Sequence, residues 1–465
     1  MNRFPGPRES KERRPVVATP ESEPGATASR RLFVVPRDLL LALLVFAGAL
    51  WVNLGAVATT EFHRDEARWV HRARFIAELQ HPLSDYWRES ELTIGQPPLG
   101  SYLMGLGLLA QGRDLETNGY YSFFHDYAWN QRHGNTPDEA DLAAARRTNS
   151  VVGALIAASV FLIATVLVNP VAGIAASLLF VPHPLSIYLS SLAGSDALVT
   201  LTVAWAVLLA MALATRPTWP RAIALGIILG LGGSAKLSPM AVAFPLAAAG
   251  LVLLVQARRT ASPSAAHDRD LGWRLLVQPA VAGATFVASY PFLWPNPVGR
   301  TLALLRFRAA EMHNQGVIWA ELNVNGPIDA LGRIGNWLGD VDSVTGAGIG
   351  VLAHALGVDW TPQGGDLLLA LAGALVLLAL AIQRGLGSRW ALATLVLGSE
   401  VGLVVLGMRA DFARYLLPVL MANAVCGGIA VGALWQALWV RFGRRVKEPA
   451  PAPSAATLAS EPATT

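Results

Sequence analysis

The sequence predicts an all-α polytopic membrane protein with about ten transmembrane helices, on three observations. Of its 465 residues 53% are hydrophobic and only 15% charged, whereas a soluble globular chain carries roughly 25% charged residues. The apolar residues are gathered into long blocks, several exceeding the ~18 residues that mark a spanning helix. The basic residues are gathered between those blocks, in alternate connectors, as positive-inside topology requires.

Residues 1 to about 31 are rich in Pro, Ser, Glu and Arg and have no apolar period, the composition of a disordered tail. Arg3, Arg8, Lys11, Arg13, Arg14, Arg30, Arg31 and Arg37 assign segment 1–37 to the cytoplasm. The first apolar run covers 39–58. Nine more follow at 149–168, 171–189, 197–214, 222–235, 240–255, 275–293, 367–382, 390–407 and 415–440. Arg441, Arg444, Arg445 and Lys447 then precede a Pro/Ala-rich tail, 446–465, also expected to be disordered and cytoplasmic. With both ends inside, the crossings are even in number. Ten crossings put the basic connectors 216–221, 258–274 and 384–389 inside as well, an independent agreement between hydrophobicity and charge.

The stretch 97–110 is apolar but short for a span, and counting it would move the basic connectors outside. It reads as a helix at the outer interface, with Pro97-Pro98 at its start, where proline costs least. Two long segments remain outside, 59–148 and 295–366, and long ordered loops in a compact protein are usually functional. The expected organisation is a catalytic membrane module over 38–294 that includes loop 59–148, an outer loop region over 295–366 and C-terminal helices over 367–445.

Composition also excludes classes. The single cysteine, Cys426, lies inside the last apolar block, so neither a disulfide framework nor a cysteine metal site is expected. The net charge of +4 and pI near 9.4 report topology; the basic residues form no patch for nucleic acid.

The candidate site begins where the first helix ends, at His63-Arg64-Asp65-Glu66. Two adjacent carboxylates at the mouth of a membrane helix either end it at the water interface or belong to a site. Topology sends further polar residues to the same level: Asp196 between helices three and four, Lys236 between five and six, and Arg409, Asp411, Arg414 and Tyr415 before the last. Acids and bases converging at one level suit group transfer from a lipid phosphate. A carboxylate accepts the proton of an attacking hydroxyl, and Lys or Arg holds the departing phosphate. Trp69, Trp87, Trp294 and Trp319 offer faces on which a sugar could stack.

Six fragments occur in a suggestive order: Asp65-Glu66-Ala67-Arg68-Trp69, Gln96-Pro97-Pro98-Leu99, Ser195-Asp196-Ala197-Leu198, Lys236-Leu237-Ser238-Pro239, Trp294-Pro295-Asn296-Pro297 and Arg414-Tyr415-Leu416-Leu417-Pro418. That order resembles the GT-C-fold polyprenyl-phosphate-sugar-dependent glycosyltransferases, which include protein O-mannosyltransferases and the aminoarabinose transferases of lipid A. The resemblance implies an inverting transferase on the outer face of the membrane. Its partners would be a polyprenyl-phosphate sugar donor, a lipid, glycan or protein acceptor, and the bilayer. It implies Asp65 as catalytic base or acceptor-orienting carboxylate, Glu66 beside it and Asp196 as the second acid. Lys236 and Arg414, with Tyr415, Gln96 and Arg68, would hold the donor phosphate and lipid. Trp69, Trp294, Asn296 and His313 would contact sugar or acceptor.

The chain departs from its relatives at Gln96, where they often carry lysine. A neutral amide cannot neutralise phosphate, which leaves Arg64, Arg68, Arg306 and Arg308 as spare cations. His63, Asp65, His71 and His313 match no compact metal motif, so no metal ligand is assigned, and a divalent cation stays open as a cofactor. The rival reading is a transporter or flippase of lipid-linked sugars, for which Glu400 is the only acid well inside an apolar block.

Overall fold

The computed structural model describes residues 35–89, 91–259, 264–339, 344–361 and 363–445. The two expected tails therefore lie almost wholly outside the described residues. Helix α1 (Pro36–Ala56) opens with proline at a position whose N–H would be orphaned anyway. It presents Leu40, Leu43, Leu44 and Trp51 outward, as a lipid-facing helix does. The first loop then holds α2 (Arg64–His71), α3 (Leu99–Ala110) and α4 (Tyr127–Arg132). Next come α5 (Glu139–Leu167), α6 (Pro170–Phe180), α7 (Pro184–Ser191), α8 (Asp196–Thr215), α9 (Trp219–Ala235), α10 (Leu237–Arg259) and α11 (Ala265–Ala288). The second loop holds α12 (Pro297–Ile318), α13 (Pro327–Gly339) and α14 (Val344–Ala355). Helices α15 (Gly365–Arg384), α16 (Arg389–Gly407) and α17 (Leu417–Arg445) finish the described chain.

Among the described residues eight helices are long and apolar enough to cross a membrane: α1, α5, α8, α10, α11, α15, α16 and α17. The protein is a multi-pass membrane protein. The predicted block 171–189 is not one straight helix: α6 and α7 meet at a bend of 72°. Pro182 and Pro184 cannot donate to the helical ladder there. His183 accepts from the Leu185 N–H at 3.2 Å and restarts the helix. If that pair counts as one span the total is nine. The tenth predicted crossing is α9, apolar but only 17 residues long. Stretch 97–110 forms the short helix α3, as its length predicts.

Two helices start earlier than hydrophobicity indicates. Helix α5 begins at Glu139 because Asp138 accepts from the Asp141 N–H at 2.6 Å, a side-chain cap on a polar first turn. Helix α11 likewise begins with a polar segment at Ala265. Both therefore carry polar turns that a window tuned to apolar residues misses.

The main core runs through α5, α8, α9, α16 and α17 and is made mostly of Ala, Leu, Val and Ile. Close helix contact in lipid relies on small residues. A side chain at Gly373 of α15 would collide with the Cys426 carbonyl of α17, so those backbones approach as only glycine allows. Gly250 of α10 and Gly272 of α11 similarly face each other's carbonyl.

The second loop is tied to the turn before α17. Val324 N–H donates to Arg409 O at 3.1 Å, and Asp411 N–H donates to Leu322 O at 2.8 Å. Arg333 and the Trp337 indole then donate to the Asp411 carboxylate at 3.2 and 2.9 Å. These bonds fix the segment that delivers Arg414.

Candidate functional site

A cavity of about 290 Å³ opens where the ends of α2, α7, α8 and α17 meet. Its wall includes His63, Arg64, Asp65, Glu66 and Trp69 from the start of α2, and Asp196 from the start of α8. Trp319, Leu322, Phe412 and Arg414 complete it from the second loop and the turn before α17. Of the residues expected in the site, the fold thus brings Asp65, Glu66, Trp69, Asp196 and Arg414 to one cavity.

Two ion pairs meet at the cavity through the wall residues Asp65, Arg414 and Asp196. Arg414 pairs with Asp65, and Lys236 with Asp196. The Lys236 ammonium lies 5.2 Å from the Tyr415 ring centroid, and the Arg414 guanidinium 5.6 Å from it. The Tyr415 ring is thus within cation–π reach of both cations. All four ionic side chains are part-exposed, so a ligand can reach them.

Glu66 behaves differently from its neighbour. It is buried, with both oxygens on Arg146 at 2.8 and 2.7 Å. Oε1 also accepts from Ala193 N–H at 2.9 Å, and Oε2 from His63 N–H at 3.0 Å, which completes a capping box. A carboxylate has about four acceptor positions, and all four are taken. The expected pair of reacting acids is thus split: Asp65 faces the cavity, while Glu66 has no lone pair left over for a substrate. Arg146 was not singled out from the sequence. A buried arginine within an apolar helix, aligned with an acid capping another, is the signal that could have found it.

His63 closes the start of α2, its Nδ1 accepting from the Asp65 N–H at 3.2 Å. Burial and the Arg414 charge hold its pKa below the usual 6.5. Burial also lowers His71, whose Nδ1 lies 2.7 Å from the Asn118 carbonyl. In both cases the unfolded chain takes up protons that the folded one resists. Stability therefore rises with pH towards 6.5 and is lost as pH falls below it. The expected result is a melting midpoint, in detergent, that drops from pH 7 to pH 5. His63→Asn, whose amide oxygen can keep the cap, should drop less over that interval; an equal drop would assign the acid sensitivity elsewhere.

The remaining expected residues lie away from the cavity wall. Gln96 accepts from Arg72 through its side chain at 2.9 Å and its backbone carbonyl at 2.7 Å. The cation at the Gln96 position is therefore Arg72, which was not among the spare candidates. It lies between the rings of Trp69 and Phe75, and burial pulls its pKa down to about 10. Arg68 donates to Tyr121 O at 3.2 Å and sits 3.7 Å over the Phe123 ring, turned into the first loop. Arg308 pairs with Glu311.

Trp294, Asn296 and His313 are not brought to the cavity. The Trp294 indole donates to Val287 O at 2.8 Å, and Asn296 caps α12 by accepting from Gly299 N–H at 3.0 Å. Their motif is a helix start, which is why proline recurs in it. His313 is exposed on α12. Of the four expected ring faces Trp69 and Trp319 stand at the cavity and Trp87 is buried in the core; Phe123 and Phe412 join them, with Trp319 and Phe412 in edge contact at 5.5 Å. Among the described residues no three His, Cys, Asp or Glu side chains cluster as a metal site would.

The fold is shared with solved GT-C structures. The chain matches the Archaeoglobus fulgidus oligosaccharyltransferase, in its complex with Zn and sulfate, with a TM-score of 0.51 and 16% identity, over 86% of this chain and 50% of that one. It matches ArnT from Cupriavidus metallidurans bound to undecaprenyl phosphate with a TM-score of 0.51 and 15% identity, over 87% of this chain and 63% of that one. AglB from A. fulgidus, in complex with an inhibitory peptide and a dolichol-phosphate, matches with a TM-score of 0.50 and 13% identity, over 90% of this chain and 53% of that one. The chain thus spans about half the length of the archaeal enzyme and 63% of ArnT. No curated protein matches it by sequence.

The protein has the GT-C fold. More narrowly, residues 70–294 match the family model of dolichyl-phosphate-mannose-protein mannosyltransferase.

Proposed function

We propose that the protein is an inverting membrane glycosyltransferase that moves a sugar from a polyprenyl-phosphate donor to an acceptor hydroxyl. The observation that carries this reading is two ion pairs, Asp65 with Arg414 and Asp196 with Lys236, of which Asp65, Arg414 and Asp196 line a single cavity. Without ligand, the acids and cations neutralise one another. A donor phosphate brings acceptor oxygens that compete for Arg414 and Lys236. As the cations turn to phosphate, Asp65 is released to accept a proton.

In the reaction Asp65 takes the proton of the acceptor hydroxyl, and that oxygen bonds to the anomeric carbon from the face opposite the phosphate. The bond from the anomeric carbon to the phosphate oxygen breaks, and its electron pair leaves with the lipid phosphate. Arg414 and Lys236 stabilise the charge that develops there. One displacement inverts the anomeric carbon. Asp196 positions Lys236 between turnovers, and Trp69 and Trp319 supply ring faces for the sugar. Both termini lie in the cytoplasm and the cavity on the outer face, a placement supported by the basic connectors. The module over 38–294 supplies Asp65, Asp196 and Lys236, the turn before α17 supplies Arg414, and Trp319, Glu321 and Leu322 of the second loop line the cavity.

Lys236→Met is expected to lower kcat/KM for a labelled polyprenyl-phosphate sugar by about 10²-fold, the scale of losing one donor to a developing oxyanion. Lys236→Arg should recover part of that loss. The measurement is release of polyprenyl phosphate by protein reconstituted in lipid. Unchanged kcat/KM in Lys236→Met would remove the ammonium from the phosphate site.

A further inference from the structure

A second, open cleft adjoins the cavity, and the two share His63 and Arg64. Its volume of about 510 Å³ lies within the range of small-molecule sites, roughly 300–1,000 Å³. Three rings form its walls: Phe62 stands 6.2 Å from Tyr121 and 5.2 Å from Tyr127, both tilted. Charges of both signs line it, Arg64 and Asp126.

The loop that carries this wall is internally tied. Asp126 Oδ1 accepts from the Trp129 N–H at 2.7 Å, while Asp126 Oδ2 takes no protein partner among the described residues. Asn130 accepts from Ser122 N–H at 2.8 Å and donates back to Ser122 O at 3.0 Å. His125 stacks on Trp129 at 3.8 Å. A preformed wall costs a ligand little ordering.

We infer that this cleft is the acceptor subsite and that its occupant is a saccharide; the inference rests on the transferase reading above and names its acceptor class. Rings interleaved with one donor-rich and one acceptor-rich group suit a pyranose, which has apolar faces and a hydroxyl perimeter. A lipid tail is disfavoured because it would desolvate Arg64 and Asp126 without pairing them. A peptide bound by strand addition needs a free strand edge. The one backbone bridge among the described residues, Asn323 with Ala410, is already paired within the protein. Because His63 and Arg64 border both spaces, a saccharide in the cleft lies next to Asp65.

The test is saturation-transfer NMR on the full chain in lipid nanodiscs with methyl hexopyranosides and methyl disaccharides. A Ser/Thr-containing hexapeptide serves as the comparator. Wild type should saturate a saccharide, and Tyr127→Ala should bind it about tenfold more weakly. Tyr127 is 48% exposed, so its truncation leaves the core intact, and Tyr127→Phe, which keeps the ring, should retain most of the affinity. Phe124→Ala, 98% exposed and outside both cavities, should bind as wild type does. No saccharide transfer in wild type, or equal transfer in Tyr127→Ala, overturns the inference. So does peptide saturation that Tyr127→Ala abolishes, which would assign a protein acceptor. Release of polyprenyl phosphate to water without acceptor tests the transferase reading separately. Donor cleavage without saccharide binding sinks this inference alone.

Discussion

Asp65→Asn is expected to slow acceptor-dependent release of polyprenyl phosphate by about 10³-fold, within the 10²–10⁴ that a positioned general base contributes. The loss should appear in kcat, with the donor KM changed only several-fold, because an amide can still accept from Arg414 but cannot take a proton. Asp65 is part-exposed to the cavity, and pairs of that kind contribute about 0–1 kcal/mol to stability. The variant should therefore melt close to wild type, which separates lost chemistry from lost folding. Turnover within tenfold of wild type would remove Asp65 from the role of base. Asp65→Glu offers a second reading. It restores a proton acceptor but displaces it by a methylene, so partial recovery is expected if position as well as basicity matters.

What the sequence carried and what it did not have separable causes. Membrane helices were legible because their length is set by the bilayer and their composition by lipid. Their ends were less so: α5 and α11 extend through polar turns, where side-chain caps and ion pairs decide and hydropathy is blind. The bend between α6 and α7 was written in Pro182 and Pro184, yet an unbroken apolar count hides it. Within the site, residues adjacent to a helix terminus came together because alternation of crossings returns such termini to one level. Asp65, Asp196, Lys236 and Arg414 are all of this kind.

Trp294, Asn296 and His313 belong to a long loop, whose path follows from tertiary bonds such as Asp411 with Arg333 and Trp337. Nothing local in the sequence reveals those partners. The same reason conceals Phe412 as a cavity ring, and it conceals Arg72 behind Gln96, since 24 residues separate the two. Division of labour between Asp65 and Glu66 was equally invisible. Adjacent carboxylates look alike in sequence, and only the partner of each distinguishes them.

That division yields the second large effect. Arg146 spends all five of its N–H donors: two on Glu66, at 2.8 and 2.7 Å, and three on the carbonyls of Val57, Thr60 and Glu61 at 2.9, 2.8 and 3.0 Å. Those carbonyls follow the end of α1, while Glu66 also holds the turn before α8 through Ala193. One buried pair therefore joins α1, α2, α5 and the turn that presents Asp196. Removing one partner of such a pair costs about 3–5 kcal/mol, because the other is left charged and buried. Glu66→Gln and Arg146→Met should each lower the unfolding midpoint of the purified protein in mild detergent by many degrees. Replacing both with apolar residues rescues some buried pairs, but not this one. Three carbonyls and two N–H groups would lose their partners, and each buried orphan costs about 1–3 kcal/mol. The double variant Glu66→Leu/Arg146→Met should accordingly melt no higher than either single variant. Non-additivity is the expected signature, with the double loss well short of the sum of the singles, as for residues in one network. Additive losses would mean that Glu66 and Arg146 act separately, and a double variant that recovers wild-type melting would mean that the carbonyls after α1 find other partners.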